Sequence, residues 1–225
     1  MLTVEAIEVL NRCPVIVYPQ TGEGTQKAGS LALDTVRQAV NLKEKTLVPV
    51  QFQMSRQTDP ARDSYGELVK ACTSYLDEGK DVAFISIGDV SLYSSAGPLM
   101  LCLKNLGYGV RAVAGVNAFS AAACAAVLDM AEKDSALTII PGDAYYKSGM
   151  LDAALSLPGA KILMKMNRHL KDCVDSVARA GLLERSTLVQ HCSLPAERMI
   201  SGSALLDLPE DSLSASYLSV VIICG

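Results

Sequence analysis

Apolar positions recur along this chain in two rhythms, and both can be traced from the first residues. Leu2, Ala6, Val9, Leu10 and Cys13 fall at helical spacing across Thr3 to Arg12, the period at which one face of a helix is buried. Val15 to Tyr18 is a short apolar run closed by Pro19, the pattern of a buried strand. Ser64 with Glu67 three residues on is a capping-box signature, and Leu68, Ala71, Cys72, Tyr75 and Leu76 repeat behind it until Gly79. That spacing predicts a helix starting at Ser64 and stopped by the glycine. Val82 to Ile87 is apolar except for Ser86, and unbroken runs of this kind belong to parallel strands covered on both faces.

A helix over Ala96 to Leu106, a strand over Val110 to Ala114 and a small-residue helix over Ser120 to Val127 continue the βαβ alternation to about residue 130. Beyond it, Ala136 to Ile140, Ile162 to Lys165, Leu188 to Cys192, Met199 to Gly202 and Val220 to Ile223 read as strands, with a helix over Leu170 to Ala180. More strands per helix predict a mixed sheet. The chain is therefore expected to be α/β with two domains, residues 1–115 and 116–225, joined tightly because no flexible linker marks the boundary.

Composition supports a folded enzyme-sized protein: 225 residues, 50% hydrophobic and 20% charged, enough to bury about 70% of the unfolded chain's surface. A net charge of −4 without long runs of like charge argues against nucleic acid as a partner. No apolar stretch reaches the roughly 18 residues of a membrane span, and the N-terminus lacks a signal-peptide block, so the expected location is cytoplasmic. The seven cysteines are odd in number and no two lie within ten residues, which excludes a zinc ribbon, a CxxC pair or a dense disulfide scaffold. Free buried thiols and no metal are expected. The two histidines, His169 and His191, are separated by a helix and a strand and are expected to lie away from any ligand loop.

Two loops could carry chemistry. Gly88-Asp89-Val90-Ser91-Leu92-Tyr93-Ser94-Ser95 follows the buried strand, where open α/β sheets place their ligands. Asp89 there can cap the following amides or accept from a ligand hydroxyl. The plainer reading is an ordinary strand-to-helix turn. Gly115-Val116-Asn117-Ala118-Phe119-Ser120-Ala121-Ala122-Ala123 also follows an expected strand and opens a helix nearly free of bulky side chains. A ligand could lie against that backbone, or the small residues could serve only close helix packing.

With Phe52-Gln53-Met54-Ser55-Arg56, these segments make the chain similar to the tetrapyrrole methylase family, the class III S-adenosylmethionine methyltransferases. Gly88, Asp89, Leu92, Tyr93 and Ser94 match a GDPxxYS-type loop, with Val90 in place of the proline. Ala114 to Ala123 matches a PGITSFSAAAA-type segment, with Asn117 in place of threonine. FQMSR resembles the FPMTR-like stretch of the branch that methylates C-20 of a precorrin. The Gly79 to Phe84, Ile162 to Arg168 and Ser193 to Gly202 segments extend the likeness over nearly the whole chain. The family's first strand and Gly-Pro-Gly loop have no counterpart ahead of Leu2, so the first strand is expected to be absent.

The resemblance implies a two-domain fold, each domain a sheet flanked by helices, with S-adenosylmethionine in a cleft between them. It implies cofactor contacts from Ile87, Gly88, Asp89, Leu92, Asn117 and Ala118, and from the Met164-Lys165 backbone at the adenine. The implied reaction is methylation of precorrin-2 or cobalt-precorrin-2 at C-20 in cobalamin biosynthesis, by a homodimer. Two alternatives stand beside it: methylation of another corrin-ring position, or a catalytically silent binding protein that lacks the glycine-rich loop. Arg56, Lys147, Arg168 and Lys171 could meet the substrate's carboxylates, or be ordinary solvated charges. Tyr93 is the nearby side chain that could accept a proton, beside the plainer expectation of a buried tyrosine with a satisfied hydroxyl. No Ser/His/Asp or Cys/His constellation is evident, as suits methyl transfer from a sulfonium, where positioning dominates.

Overall fold

Thr3 has extended backbone, and its Oγ1 accepts the Ala6 N–H at 3.2 Å, satisfying a donor that the first helical turn would otherwise leave orphaned. Helix α1 (Val4–Arg12) starts there and buries Leu10. The computed structural model describes residues 1–20, 29–51, 60–214 and 216–225, and these divide into two compact units, Met1–Asn117 and Ala118–Gly225.

In the first unit α1 is followed by β1 (Val15–Gln20), α2 (Leu31–Arg37), β2 (Thr46–Gln51), α3 (Pro60–Leu76), β3 (Val82–Phe84) and α4 (Ala96–Asn105). The sheet order is β2-β1-β3, with both pairs parallel and Val15 opposite Thr46 on one side and Val82 on the other. Successive strand residues point to opposite faces, so central β1 feeds two cores. Ile16 packs with Leu10, Leu33 and Val36, while Val15 and Val17 pack with Leu68, Cys72, Leu99 and Leu103. Burying each such aliphatic side chain contributes about 1.5–3 kcal/mol, which is why a strand this short holds the middle of the sheet.

Three expectations change here. The strand expected through Ile87 ends at Phe84; Ile85 still donates to the Val17 carbonyl at 3.0 Å, and the chain then turns at Gly88, whose φ is 80°. No strand forms over Val110 to Ala114. Arg111 instead pairs with Glu5 of α1, and the Ala114 carbonyl accepts the Thr3 hydroxyl at 3.1 Å, so side chains fix that segment in place of a ladder. Helix α3 begins at Pro60, one turn ahead of Ser64, because proline is preorganised for a first helical turn and its missing donor costs nothing there.

The second unit contains α5 (Ala118–Ala125), β4 (Leu137–Pro141), α6 (Gly142–Lys147), α7 (Leu151–Leu155), β5 (Ala160–Met164), α8 (Leu170–Arg179), β6 (Ser186–Gln190), β7 (Arg198–Ser201), α9 (Glu210–Ser214) and β8 (Ser219–Ile223). Its sheet is mixed, in the order β4-β5-β8-β6-β7, with β4 and β5 parallel and the other pairs antiparallel. Strands β4, β5 and β6 therefore run the same way, and the turns after Pro141, Met164 and Gln190 emerge at one end of the sheet. Helix α8 buries Leu170, Cys173, Val174 and Val177, the stripe its spacing predicts, into a core with Ile140, Leu163, Leu188 and Val221. All seven cysteines are free, but only Cys13, Cys72 and Cys173 are buried, and Cys124 is exposed. None of the described helices is long and apolar enough to cross a membrane.

Candidate functional site

The loop after β3 is organised by one carboxylate. Asp89 Oδ1 accepts the Ser91 N–H at 2.9 Å and also the Ser91 hydroxyl, an Asx-type turn that its sequence position favours. Its other oxygen accepts the Gly115 N–H at 2.7 Å, 26 residues along the chain. The Ser91 hydroxyl, then the Gly115 and Ser91 amides, hold this carboxyl below the usual carboxylate range, because hydrogen bonds to the charged form favour it. Asp89 thus caps amides, and one of those amides belongs to the second loop.

The two loops touch through glycines. A Cβ at Gly115 would lie 3.1 Å from Asp89 Cα and only 2.1 Å from the Gly88 carbonyl oxygen, a distance no side chain tolerates. Gly88 itself has a left-handed φ, which glycine adopts without strain. Behind the turn, Ser94 Oγ accepts the Ala96 N–H at 3.1 Å and lies 3.2 Å from Ser86 Oγ, closing the entrance to α4.

Around this clamp, Ile87 is 49% exposed and Tyr93 is 40% exposed with a left-handed φ of 51°. The expected buried tyrosine is thus a surface one. Leu92 is half-buried, and its N–H meets the Asp89 carbonyl at 3.4 Å. Asn117 is half-buried at the end of the first unit, and Ala118 is exposed at the start of α5. An exposed apolar rim over a backbone held open by two glycines fits an uncharged, nucleoside-like or thioether surface. Phe52 to Arg56, Arg56 included, lie outside the described residues.

Met164 and Lys165 belong to the second unit, where β5 ends in a tight turn with Lys165 and Asn167 at φ 52° and 49°. The Lys165 carbonyl accepts the Asp143 N–H at 3.2 Å. Asp143 is only 2% exposed, and its carboxylate lies 3.0 Å from Lys147 Nζ and 3.6 Å from His169 Nε2. His169 Nδ1 is 2.7 Å from Asp172 Oδ2, and its ring centroid lies 4.8 Å from that of Tyr146. The Asp172 charge pushes the Tyr146 phenol up.

Through Asp143, His169 also reaches the Met164-Lys165 turn. Lys147, weighed either as a partner for a substrate carboxylate or as a solvated charge, pairs with a buried carboxylate of its own helix and keeps a side chain that is largely exposed. Lys171 lies 3.4 Å from Asp175 on the outer face of α8, whereas Arg168 is exposed in the turn before that helix. The sequence carried a signal for the cluster in Pro141-Gly142-Asp143 at a strand end and in His169 and Asp172 three residues apart, but neither spacing says what the carboxylates face.

Residues 1–205 match the family model of the tetrapyrrole (corrin/porphyrin) methylases. The chain belongs to that family. Among relatives, it is 29% identical over 201 residues to the cobalt-precorrin-2 C(20)-methyltransferase of Salmonella typhimurium, covering 88% of this chain and 81% of that one. It is 24% identical over 229 residues to the cobalamin biosynthesis protein CobIJ of Mycobacterium tuberculosis, covering 100% of this chain and 43% of that protein. The chain thus spans less than half the length of that curated relative. The uroporphyrin-III C-methyltransferase of Thermus thermophilus, solved with S-adenosylhomocysteine, shares the fold of this chain with a TM-score of 0.64 at 16% identity, over 99% of this chain and 90% of that one.

Proposed function

We propose that this tetrapyrrole methylase transfers the methyl group of S-adenosylmethionine to C-20 of precorrin-2 or cobalt-precorrin-2 in cobalamin biosynthesis. The observation that carries the reading is the Asp89–Gly115 clamp, which brings both family loops together at the carboxyl end of β3, where α/β sheets bind ligands. The Salmonella relative's named activity supports the C-20 position. In this reading Ile87, Gly88, Asp89, Leu92, Asn117 and Ala118 hold the cofactor, with the Met164-Lys165 backbone against its adenine. Asp89 acts by shaping the loop, since its oxygens already accept three protein donors.

When bound, the sulfonium supplies an electrophilic methyl and leaves as a neutral thioether. The protein's part is to align that methyl with the ring carbon and exclude water, which can supply about 7–11 kcal/mol of the barrier. Arg168 is an exposed cation beside the Met164-Lys165 turn that would meet a substrate carboxylate; Arg56, Lys147 and Lys171 remain proposals of the same kind. We further propose a cytoplasmic homodimer.

Calorimetric titration with S-adenosylhomocysteine, followed by turnover of precorrin-2 and cobalt-precorrin-2 with isotopically labelled methyl donor, tests the proposal. Binding at about micromolar Kd with the label at C-20 is the expected result. Label at another carbon assigns the chain to another ring position, and binding without turnover makes it a binding protein. Absence of binding removes the methyltransferase reading.

A further inference from the structure

Asp143 is a nearly fully buried carboxylate, and the methyl-transfer chemistry gives it no role. Its surroundings tie it to one place. Its own N–H donates to the Lys165 carbonyl at 3.2 Å, and its carboxylate is gripped by Lys147 at 3.0 Å and approached by His169 at 3.6 Å. The preceding residue packs against the same turn: a Cβ on Gly142 would lie 2.8 Å from Met166 Cγ and 3.2 Å from Cys173 Sγ. The turn it reaches holds two non-glycine residues, Lys165 and Asn167, in left-handed backbone. Such conformations cost about 1–3 kcal/mol each and persist only where the surroundings enforce them.

We propose that Asp143 is a positioning residue for the Met164-Lys165 turn, and thereby for cofactor binding. This rests on the reading above in which that turn meets the adenine. Removing a charge from water is costly unless it is paired, so the carboxylate selects one arrangement of α6 and the turn after β5: the one that brings both Lys147 from its own helix and His169 from the turn toward its Oδ1. Asp172 and Tyr146 fix the His169 ring from the other side, at 2.7 Å from Nδ1 and 4.8 Å between ring centroids. The arrangement holds the Lys165 carbonyl inward on the Asp143 amide. The backbone that remains presented by Met164 and Lys165 is then preformed, so a ligand does not have to order it.

The test compares Asp143→Asn, which keeps the shape and the amide donor, with Asp143→Ala and with Asp34→Asn, an exposed carboxylate of the first unit that pairs with Arg37. Hydrogen–deuterium exchange is followed without ligand, and S-adenosylhomocysteine affinity is measured by calorimetry. In both Asp143 variants the amides of residues 162–169 should exchange at least about fivefold faster while those of β6 and β8 stay protected. Affinity should fall about tenfold, and the effect should appear in KM for the methyl donor with kcat held within about twofold. Asp34→Asn should change none of these. Exchange that rises uniformly across the second unit, or affinity unchanged in Asp143→Asn, overturns the positioning role. If the unmodified chain does not bind S-adenosylhomocysteine, the functional reading fails first and the positioning role falls with it. That outcome is told apart from an intact affinity that the substitution leaves untouched.

Discussion

The Asp89 carboxylate accepts the Gly115 N–H at 2.7 Å across 26 residues of chain, and Gly115 lies so close to Gly88 that a Cβ would sit 2.1 Å from its carbonyl oxygen. A charge-assisted bond and a side-chain-free contact thus join the two loops.

Asp89→Ala should destabilise the first unit by about 1.5–3 kcal/mol, the worth of hydrogen bonds to a charged group, and should abolish S-adenosylhomocysteine binding before it unfolds the chain. Urea unfolding paired with calorimetry separates the two effects. Unchanged binding in a folded Asp89→Ala protein would contradict the clamp.

Gly115→Ala and Gly66→Ala should move stability in opposite directions. The first drives a Cβ into the Gly88 carbonyl and should cost about 1–3 kcal/mol, as overpacking does. Gly66 lies within α3 with nothing within 4 Å of its added Cβ, so alanine there should add about 0.5–1 kcal/mol through helix propensity. Thermal unfolding of the two variants side by side checks the sign.

Acid should act on the clamp in a defined direction. The Asp89 carboxyl is held below its usual range by Ser91 and Gly115, so the stability it contributes is present above the unfolded carboxylate value and is lost as pH falls through the lower folded value. The stability difference between the parent and Asp89→Ala should therefore be constant at neutral pH and shrink only in acid below the ordinary carboxylate range. A difference that shrinks near neutrality would refute this.

Base should act through the thiols. Burial pushes Cys72 up to about 11 and Cys173 up to about 12. Raised values mean that these thiols stabilise the fold below the unfolded thiol value, about 8.5, and that this contribution is lost as pH climbs toward the folded values. Iodoacetamide at mildly alkaline pH should label exposed Cys124 and spare Cys72 and Cys173 until denaturant is added. Peptide mass mapping reads the order directly.

The helical spacing of Leu170, Cys173, Val174 and Val177 and the apolar run at Val15 to Val17 were readable because burial leaves a period in the sequence. The loop at Gly88-Asp89 was readable for a related reason: a turn after a buried strand needs glycine and a short side chain that can cap. Helices as short as α6, α7 and α9 left no such period, since five or six residues span fewer than two turns.

Periodicity also misplaced what contacts decide. Val110 to Ala114 has the residues of a strand, yet Thr3 and Glu5 hold it without a ladder. Lys147 keeps an exposed side chain, and what only the contacts supply is that its ammonium meets the buried carboxylate of Asp143.

By itself, then, the amino-acid sequence determined which segments are buried, which loops can turn sharply, and the family whose motifs those loops carry, because each is written in residues close together in the chain. Tertiary structure alone decided that Asp89 serves Gly115 and that Asp143 faces His169 and the Lys165 turn. Those partners lie 22 to 26 residues away, and a carboxylate looks the same in a sequence whether it meets water, a ligand or a distant backbone amide.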